Sequence, residues 1–120
     1  MLAEHFEDWF VTHGIKETPY MMYAMDFKED KKGLVPSITH VDGTCRIQTV
    51  TPEQNQNYYN LINEFYKHTG TPILFNTSFN LAGEPLVETV QDALHTLDNS
   101  DIKYLYLPDI RTLVEKIDAV

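Results

Sequence analysis

Pro72-Ile73-Leu74-Phe75-Asn76-Thr77-Ser78-Phe79-Asn80 is an apolar run that breaks into four small polar residues around one phenylalanine. The apolar part, set off by Gly70 and Pro72, reads as a buried strand over 72–76. A buried strand that delivers Asn76, Thr77, Ser78 and Asn80 at its carboxyl end is a common way to build a ligand site in an α/β protein. Asn and Ser are also ordinary turn residues, and the segment taken alone favours a turn joining two elements. Gly83-Glu84-Pro85 then turns the chain away.

On the amino-terminal side the pattern predicts a helix over 52–69. Thr51 serves as N-cap, Pro52 takes the first helical position and Gln54 completes a capping box. Tyr58, Leu61, Ile62, Phe65 and Tyr66 recur at helical spacing as its buried face, and Gly70 follows where left-handed geometry is needed. Further back, Thr44-Cys45-Arg46-Ile47-Gln48-Thr49-Val50 alternates polar and apolar residues, the signature of a half-buried strand. Residues 36–43 end in Asp42-Gly43, so a hairpin is predicted there. Residues 20–27 read as a strand whose methionines fill the core. Residues 28–33 form a charged loop, and Leu2, Phe6, Trp9 and Phe10 predict a short helix over 2–11. On the carboxyl side Thr89 caps a helix over 90–98 that buries Val90, Ala93, Leu94 and Leu97. A strand over 102–107 and a terminal helix over 109–118, with Leu113, Val114 and Ile117 inward, complete the chain. Strands joined both by turns and by helices imply an α/β class, with a mixed twisted sheet flanked by helices.

The chain has 120 residues, 42% of them hydrophobic, which suits one domain with its own core. No apolar run is long enough to span a bilayer, and no membrane partner is expected. Acids at Glu4, Glu7 and Asp8 stand where a signal peptide needs basic residues. Cys45 is the single cysteine, so no internal disulfide forms, and a reducing cytoplasm is the expected location. The net charge of −9 argues against nucleic acid as a partner. It leaves room for one small anion held by local donors.

The strongest such donor is Arg46, one of only two arginines. By strand alternation it shares a face with Thr44 and Gln48, and its planar fork suits phosphate or carboxylate. A surface arginine on a solvated sheet face has the same sequence appearance and is the commoner case. His40 and Asp42 read as turn residues, Cys45 as a buried core thiol, and the other histidines match no metal-ligand spacing. No Gly-rich phosphate loop and no nucleophile-base-acid set is present.

Two segments taken together add a family resemblance. His40-Val41-Asp42-Gly43-Thr44-Cys45-Arg46-Ile47-Gln48-Thr49-Val50 and Thr69-Gly70-Thr71-Pro72-Ile73-Leu74-Phe75-Asn76-Thr77-Ser78-Phe79-Asn80 occur in order, followed by Gly83-Glu84-Pro85-Leu86-Val87. From about Tyr20 to the end the chain resembles the carboxyl-terminal region of the O-carbamoyltransferases, which modify nodulation factors and antibiotics. The resemblance implies part of a YrdC-like domain that takes carbamoyl phosphate and ATP, with magnesium, and makes carbamoyl-adenylate. It further implies a separate amino-terminal domain, with an actin-like ATPase fold and an iron site, that transfers the carbamoyl group to a hydroxyl. Arg46 would hold phosphate or carboxyl oxygens, with His40 beside it. Asn76, Thr77, Ser78 and Asn80 would line the carbamoyl-phosphate and nucleotide pocket as donors, with Ser78 no nucleophile.

The family's Gly-Pro-Arg-Ala-Leu-Gly type motif and the basic residues after it have no counterpart here, and Leu81-Ala82 stands where a basic residue is frequent. The chain is therefore expected to be one piece of such an enzyme, inactive alone, partnered in cis or in trans by the transferase domain. The alternative is a stand-alone, non-catalytic binding or interaction module that kept the fold. An exposed apolar patch on it would mark a partner or homodimer face.

Overall fold

The computed structural model describes residues 1–117. The described residues combine helices and strands, as expected of the α/β class, but in the order α-β-β-α-α-β-β, and the strands form two separate antiparallel pairs and no single mixed sheet. Contacts gather into two units, Met1–Phe75 and Asn76–Val120.

The first unit is built on an aromatic core. A 3-10 turn, Ala3–His5, runs into α1 (Phe6–Trp9), so the helix is shorter than the spacing over 2–11 suggests. The flanking residues enter β-bridges instead: Leu2 lies parallel to Val50, and Phe10 antiparallel to Phe27. Phe6, Trp9 and Phe10 pack with Met25, Phe27, Cys45, Ile47 and Ile73. The Phe10 and Phe27 rings lie 4.7 Å apart at their centroids, within the range of favourable tilted pairs.

β1 (Ala24–Asp26) is the remnant of the strand expected over 20–27. Of its methionines only Met25 enters the core, while Met22 is 74% exposed. β1 pairs antiparallel with β2 (Thr44–Arg46), Met25 opposite Cys45. The hairpin expected between 36–43 and 44–50 is therefore replaced by a longer-range pairing. The turn at Asp42-Gly43 does form, but the residues before it cannot extend into a strand. Pro36–Ile38 is a 3-10 turn, with Thr39 donating from both its backbone N–H, to Pro36, and its hydroxyl, to Val35. The alternation predicted for β2 and its continuation holds: Cys45, Ile47 and Thr49 are buried, and Arg46 is exposed.

α2 (Gln56–Thr69) begins later than expected. Thr51 and Gln54 do exchange hydrogen bonds, Thr51 N to Gln54 Oε1 at 3.0 Å and Gln54 N to Thr51 Oγ1 at 3.3 Å. That box closes a turn, and Asn55, at φ −160°, starts the helix proper by accepting from Tyr58 N. Gly70 ends it at φ 72°, left-handed as required. Ile62 is fully buried among Leu2 and Val50, with Tyr58, Tyr59, Tyr66 and Leu74 around it. Leu61 and Phe65, expected inward, are 55% and 38% exposed. Tyr59 takes the inward place instead, because the row 58, 62, 66 faces the core.

The segment expected as strand 72–76 is extended but joins no ladder among the described residues. Pro72 has no N–H to offer. Its carbonyl accepts from Leu2 N at 3.1 Å, and Pro72 and Ile73 are buried.

In the second unit α3 (Val90–Asp98) starts as predicted, with Thr89 and Asp92 in a reciprocal capping box. Ala93, Thr96 and Leu97 are buried, whereas Val90 and Leu94 stay 46% and 37% exposed. β3 (Tyr104–Leu107) follows, and β4 (Thr112–Glu115) pairs antiparallel with it, Leu105 opposite Val114. The terminal helix expected over 109–118 is thus a strand as far as it is described, and residue 118 lies outside the described residues. Pro108–Ile110 turns the chain, and Arg111 at φ 50° completes a reversal that no helix continues through. Val114 then packs inward and Leu113 is 62% exposed, a period of two in place of the helical one. Lys116 lays its ammonium against three carbonyls, of Leu97, Asp98 and Ser100, at 3.4, 2.9 and 3.0 Å. It thereby satisfies groups that the carboxyl end of α3 leaves unpaired.

Candidate functional site

Arg46 stands on the exposed face of β2, held by the pairing of β2 with β1 and by the burial of Cys45 and Ile47 on either side. Among the described residues its guanidinium makes no ion pair and no side-chain hydrogen bond. All five of its donors are available to an anion.

His40 joins this strand through Thr44. The Thr44 hydroxyl lies 2.8 Å from Asp42 Oδ1 and 3.1 Å from His40 Nδ1. An ionised carboxylate only accepts, so Thr44 gives its one hydroxyl hydrogen to Asp42, and His40 Nδ1 donates to Thr44. In the neutral ring Nε2 is then an acceptor facing away from that bond. Asp42 also accepts from Thr44 N at 2.9 Å, and these two bonds from Thr44 hold its carboxyl below the usual carboxylate range. The structure thus brings His40 and Asp42 to Thr44 at the start of β2, while Arg46 stands at the other end of the strand. Cys45 is buried, and burial pushes its thiol up to about 11, which suits a core thiol and not a nucleophile.

In the second unit Asn76, Thr77 and Ser78 form an exposed, irregular segment. Phe79 anchors it by packing on the Ala93, Leu97 and Leu105 cluster, and its carbonyl accepts from Val87 N at 3.1 Å. Asn80 closes the loop that follows: Nδ2 donates to Leu81 O at 3.1 Å and Glu84 O at 3.0 Å. Those two carbonyls fix the amide orientation, since an oxygen in that place would face two acceptors. Asn80 Oδ1 is left buried with no hydrogen-bond partner among the described residues. Thr77 and Ser78 keep their hydroxyls unbonded among the described residues.

A cleft of about 400 Å³ lies beside this loop, lined by Glu84, Leu86, Glu88, Asp92 and His95 among others. His95 Nε2 faces Glu84 Oε1 at 3.4 Å. In the sequence Glu84 reads as a turn residue and His95 matches no ligand spacing. Only the fold of 80–87 against α3 brings the two together, and no spacing could have signalled it. Among the described residues no three His, Cys, Asp or Glu side chains cluster to hold a metal ion. The described residues therefore offer no all-protein cage for magnesium, an ion that commonly keeps its waters and the phosphates of its nucleotide as ligands. Among the described residues no helix is long and apolar enough to cross a membrane.

Residues 1–116 match the family described as Carbamoyltransferase C-terminus. Nodulation protein NolNO of Sinorhizobium fredii is 47% identical over 87 residues, which cover 72% of this chain and 13% of that protein. Nodulation protein NolO of Bradyrhizobium diazoefficiens is 42% identical over 100 residues, 83% of this chain and 18% of that protein. A 3'-hydroxymethylcephem-O-carbamoyltransferase of Amycolatopsis lactamdurans is 33% identical over 99 residues, 82% of this chain and 19% of that enzyme. The chain therefore spans less than a fifth of the length of these relatives. With both signature segments inside the matched residues, the chain belongs to the O-carbamoyltransferase family, as its carboxyl-terminal domain.

Proposed function

We propose that this domain binds carbamoyl phosphate and ATP for the formation of carbamoyl-adenylate, which a transferase domain in cis or in trans then uses on a hydroxyl. The observation that carries the reading is the buried, unpartnered amide oxygen of Asn80. A buried amide oxygen without a partner costs roughly 1–3 kcal/mol, a cost removed when a ligand donor reaches it. Asn80 Oδ1 is such an oxygen, and it suits an N–H donor such as the carbamoyl NH2. Thr77 and Ser78 add hydroxyl donors in the same unit, with Asn76 beside them. In the first unit Arg46 is the group proposed for phosphate oxygens, with His40 Nδ1 already committed to Thr44. Acyl-phosphate chemistry needs mainly positioning and charge stabilisation by fixed donors, which is all these residue types supply. A reducing cytoplasm suits the lone, unpaired Cys45.

The test is ATP–pyrophosphate exchange dependent on carbamoyl phosphate, in a carbamoyltransferase that carries this chain as its carboxyl-terminal part. Arg46→Ala should lower exchange by about 10- to 100-fold, the scale of one lost charge-assisted pair. It should leave the melting temperature unchanged. Exchange that is equal in wild type and Arg46→Ala would overturn the reading. The 120-residue chain alone should show little or no exchange.

A second reading, a non-catalytic interaction module or homodimer, draws on exposed apolar side chains. Leu61 and Phe65 protrude from α2, and Tyr104 and Tyr106 from β3. A concentration-independent monomer by light scattering would count against it.

A further inference from the structure

A second cleft, of about 350 Å³, lies wholly within the first unit. It sits where Pro19-Tyr20, the continuation of β2 at 48–50 and the start of α2 meet. Tyr20, Gln48, Thr49, Gln54, Asn55 and Tyr58 line it, with Pro19 and Val50 as its apolar floor. In a chain of net charge −9, with an acidic cleft in its other unit, none of these eight side chains is charged. The volume falls in the range of small-ligand pockets, about 300–1,000 Å³.

The cleft is held open by specific bonds. Gln48 Nε2 donates to Pro19 O at 2.9 Å, and Thr49 Oγ1 accepts from Thr18 N at 2.8 Å. Gln54 bonds Thr51 N and reaches Glu17. Tyr20 is displayed with 81% of its surface exposed. The next residue, Met21, is held at φ 55°, a left-handed conformation that a residue with a Cβ rarely adopts. Strain of that kind gathers at ligand sites, where the surrounding structure fixes it. Among the described residues the hydroxyls of Tyr20 and Tyr58 make no hydrogen bond. Asn55 spends its Oδ1 on Tyr58 N and keeps its Nδ2 donors.

We propose that this cleft binds one neutral, hydroxylated ring, a saccharide unit, against Tyr20 and Tyr58. Aromatic faces cover the C–H side of such a ring, while tyrosine hydroxyls and the Asn55 amide offer both donors and acceptors to its hydroxyls. A nucleotide also stacks on aromatics, but its phosphates need cations, and the cleft has none. The proposed ligand is uncharged, so this proposal does not depend on the anion-binding groups proposed above.

The test is a titration of the isotope-labelled 120-residue chain, followed by NMR, with maltose, with cellobiose and with AMP as the phosphate-bearing control. Amide shifts should centre on residues 20, 48–50 and 54–58, saturating with a Kd of about 1–10 mM for at least one disaccharide, and AMP should leave them still. Tyr20→Ala removes an exposed ring, and Tyr58→Phe keeps the packing while deleting the hydroxyl. Each should weaken binding about tenfold or less. Shifts that are absent or lie elsewhere, an equal response to AMP, or binding unaltered in both variants would overturn the proposal.

Discussion

The two units place their polar groups by opposite means. Arg46 projects from a strand whose neighbours Cys45 and Ile47 are locked into an aromatic core. Asn76–Asn80 lie outside any helix or strand, with the Phe79 ring on the second core, the Phe79 carbonyl accepting from Val87 N and the Asn80 amide bridging two carbonyls. The backbone that carries Arg46 keeps its place when a ligand is absent, because moving it would disturb the core. An irregular segment outside any ladder can adjust to the ligand. Phosphate needs fixed charge, and a small planar amide needs close fitting, so the division matches the two ligand types of the proposed chemistry.

The comparison breaks most visibly at Phe10. It is 1% exposed and packs on Phe6 and Phe27. Phe10→Ala should destabilise the first unit by about 3–5 kcal/mol, through lost burial and the cavity left behind. Urea unfolding followed at Trp9 should report that loss directly.

Acid should separate the units next. In the 120-residue chain the Met1 amine donates to Gln48 O at 2.7 Å, and burial lowers its pKa from 8.0 to about 6. The unfolded amine therefore holds its proton more tightly than the folded one. That stability is fully present above about pH 8 and is lost as pH falls towards 6, by about 2–3 kcal/mol. In the second unit the strongest acid-sensitive link in α3 is Asp92, held below its ordinary 3.8 by the Thr89 hydroxyl and N–H. Its contribution is present above that value and lost only at lower pH. Thermal melts at pH 8 and pH 6 should thus shift the first unit alone, and Nα-acetylation should abolish the shift.

Asn80 sharpens the loop side. Asn80→Ala removes two hydrogen bonds to the carbonyls of Leu81 and Glu84 and should cost about 1–2 kcal/mol. Hydrogen exchange should locate the effect at the amides of Glu84 and Val87, with β2 untouched.

The sequence was readable where structure is local. The Thr89–Asp92 box, the left-handed Gly70 and the alternation of Cys45, Arg46 and Ile47 follow from neighbours a few residues apart. Pairing is not local: Met25 meets Cys45 across a stretch that itself holds a convincing turn at Asp42-Gly43. That turn formed, and the inference from turn to hairpin failed because Pro36–Ile38 coils before a partner strand can begin. Thr51 and Gln54 show the same limit on a smaller scale, since a complete capping box can close a turn and stop there. The terminal segment carried Leu113, Val114 and Ile117 at helical spacing, but with Arg111 in the left-handed region the chain reverses into a strand. For the site, the residue types were legible from the two family segments. The orphaned oxygen of Asn80 and the meeting of Glu84 with His95 depend on how 80–87 folds over α3, which no spacing encodes.

Lys116 has a consequence for how the second unit comes apart. Its ammonium sits on carbonyls that α3 cannot satisfy itself, so peeling β4 away would uncover them at the same moment. β4 and α3 are therefore one cooperative opening unit, and the strand peels away only when the helix opens. A protease that cuts after lysine would find Lys116 only in molecules where α3 has already let go.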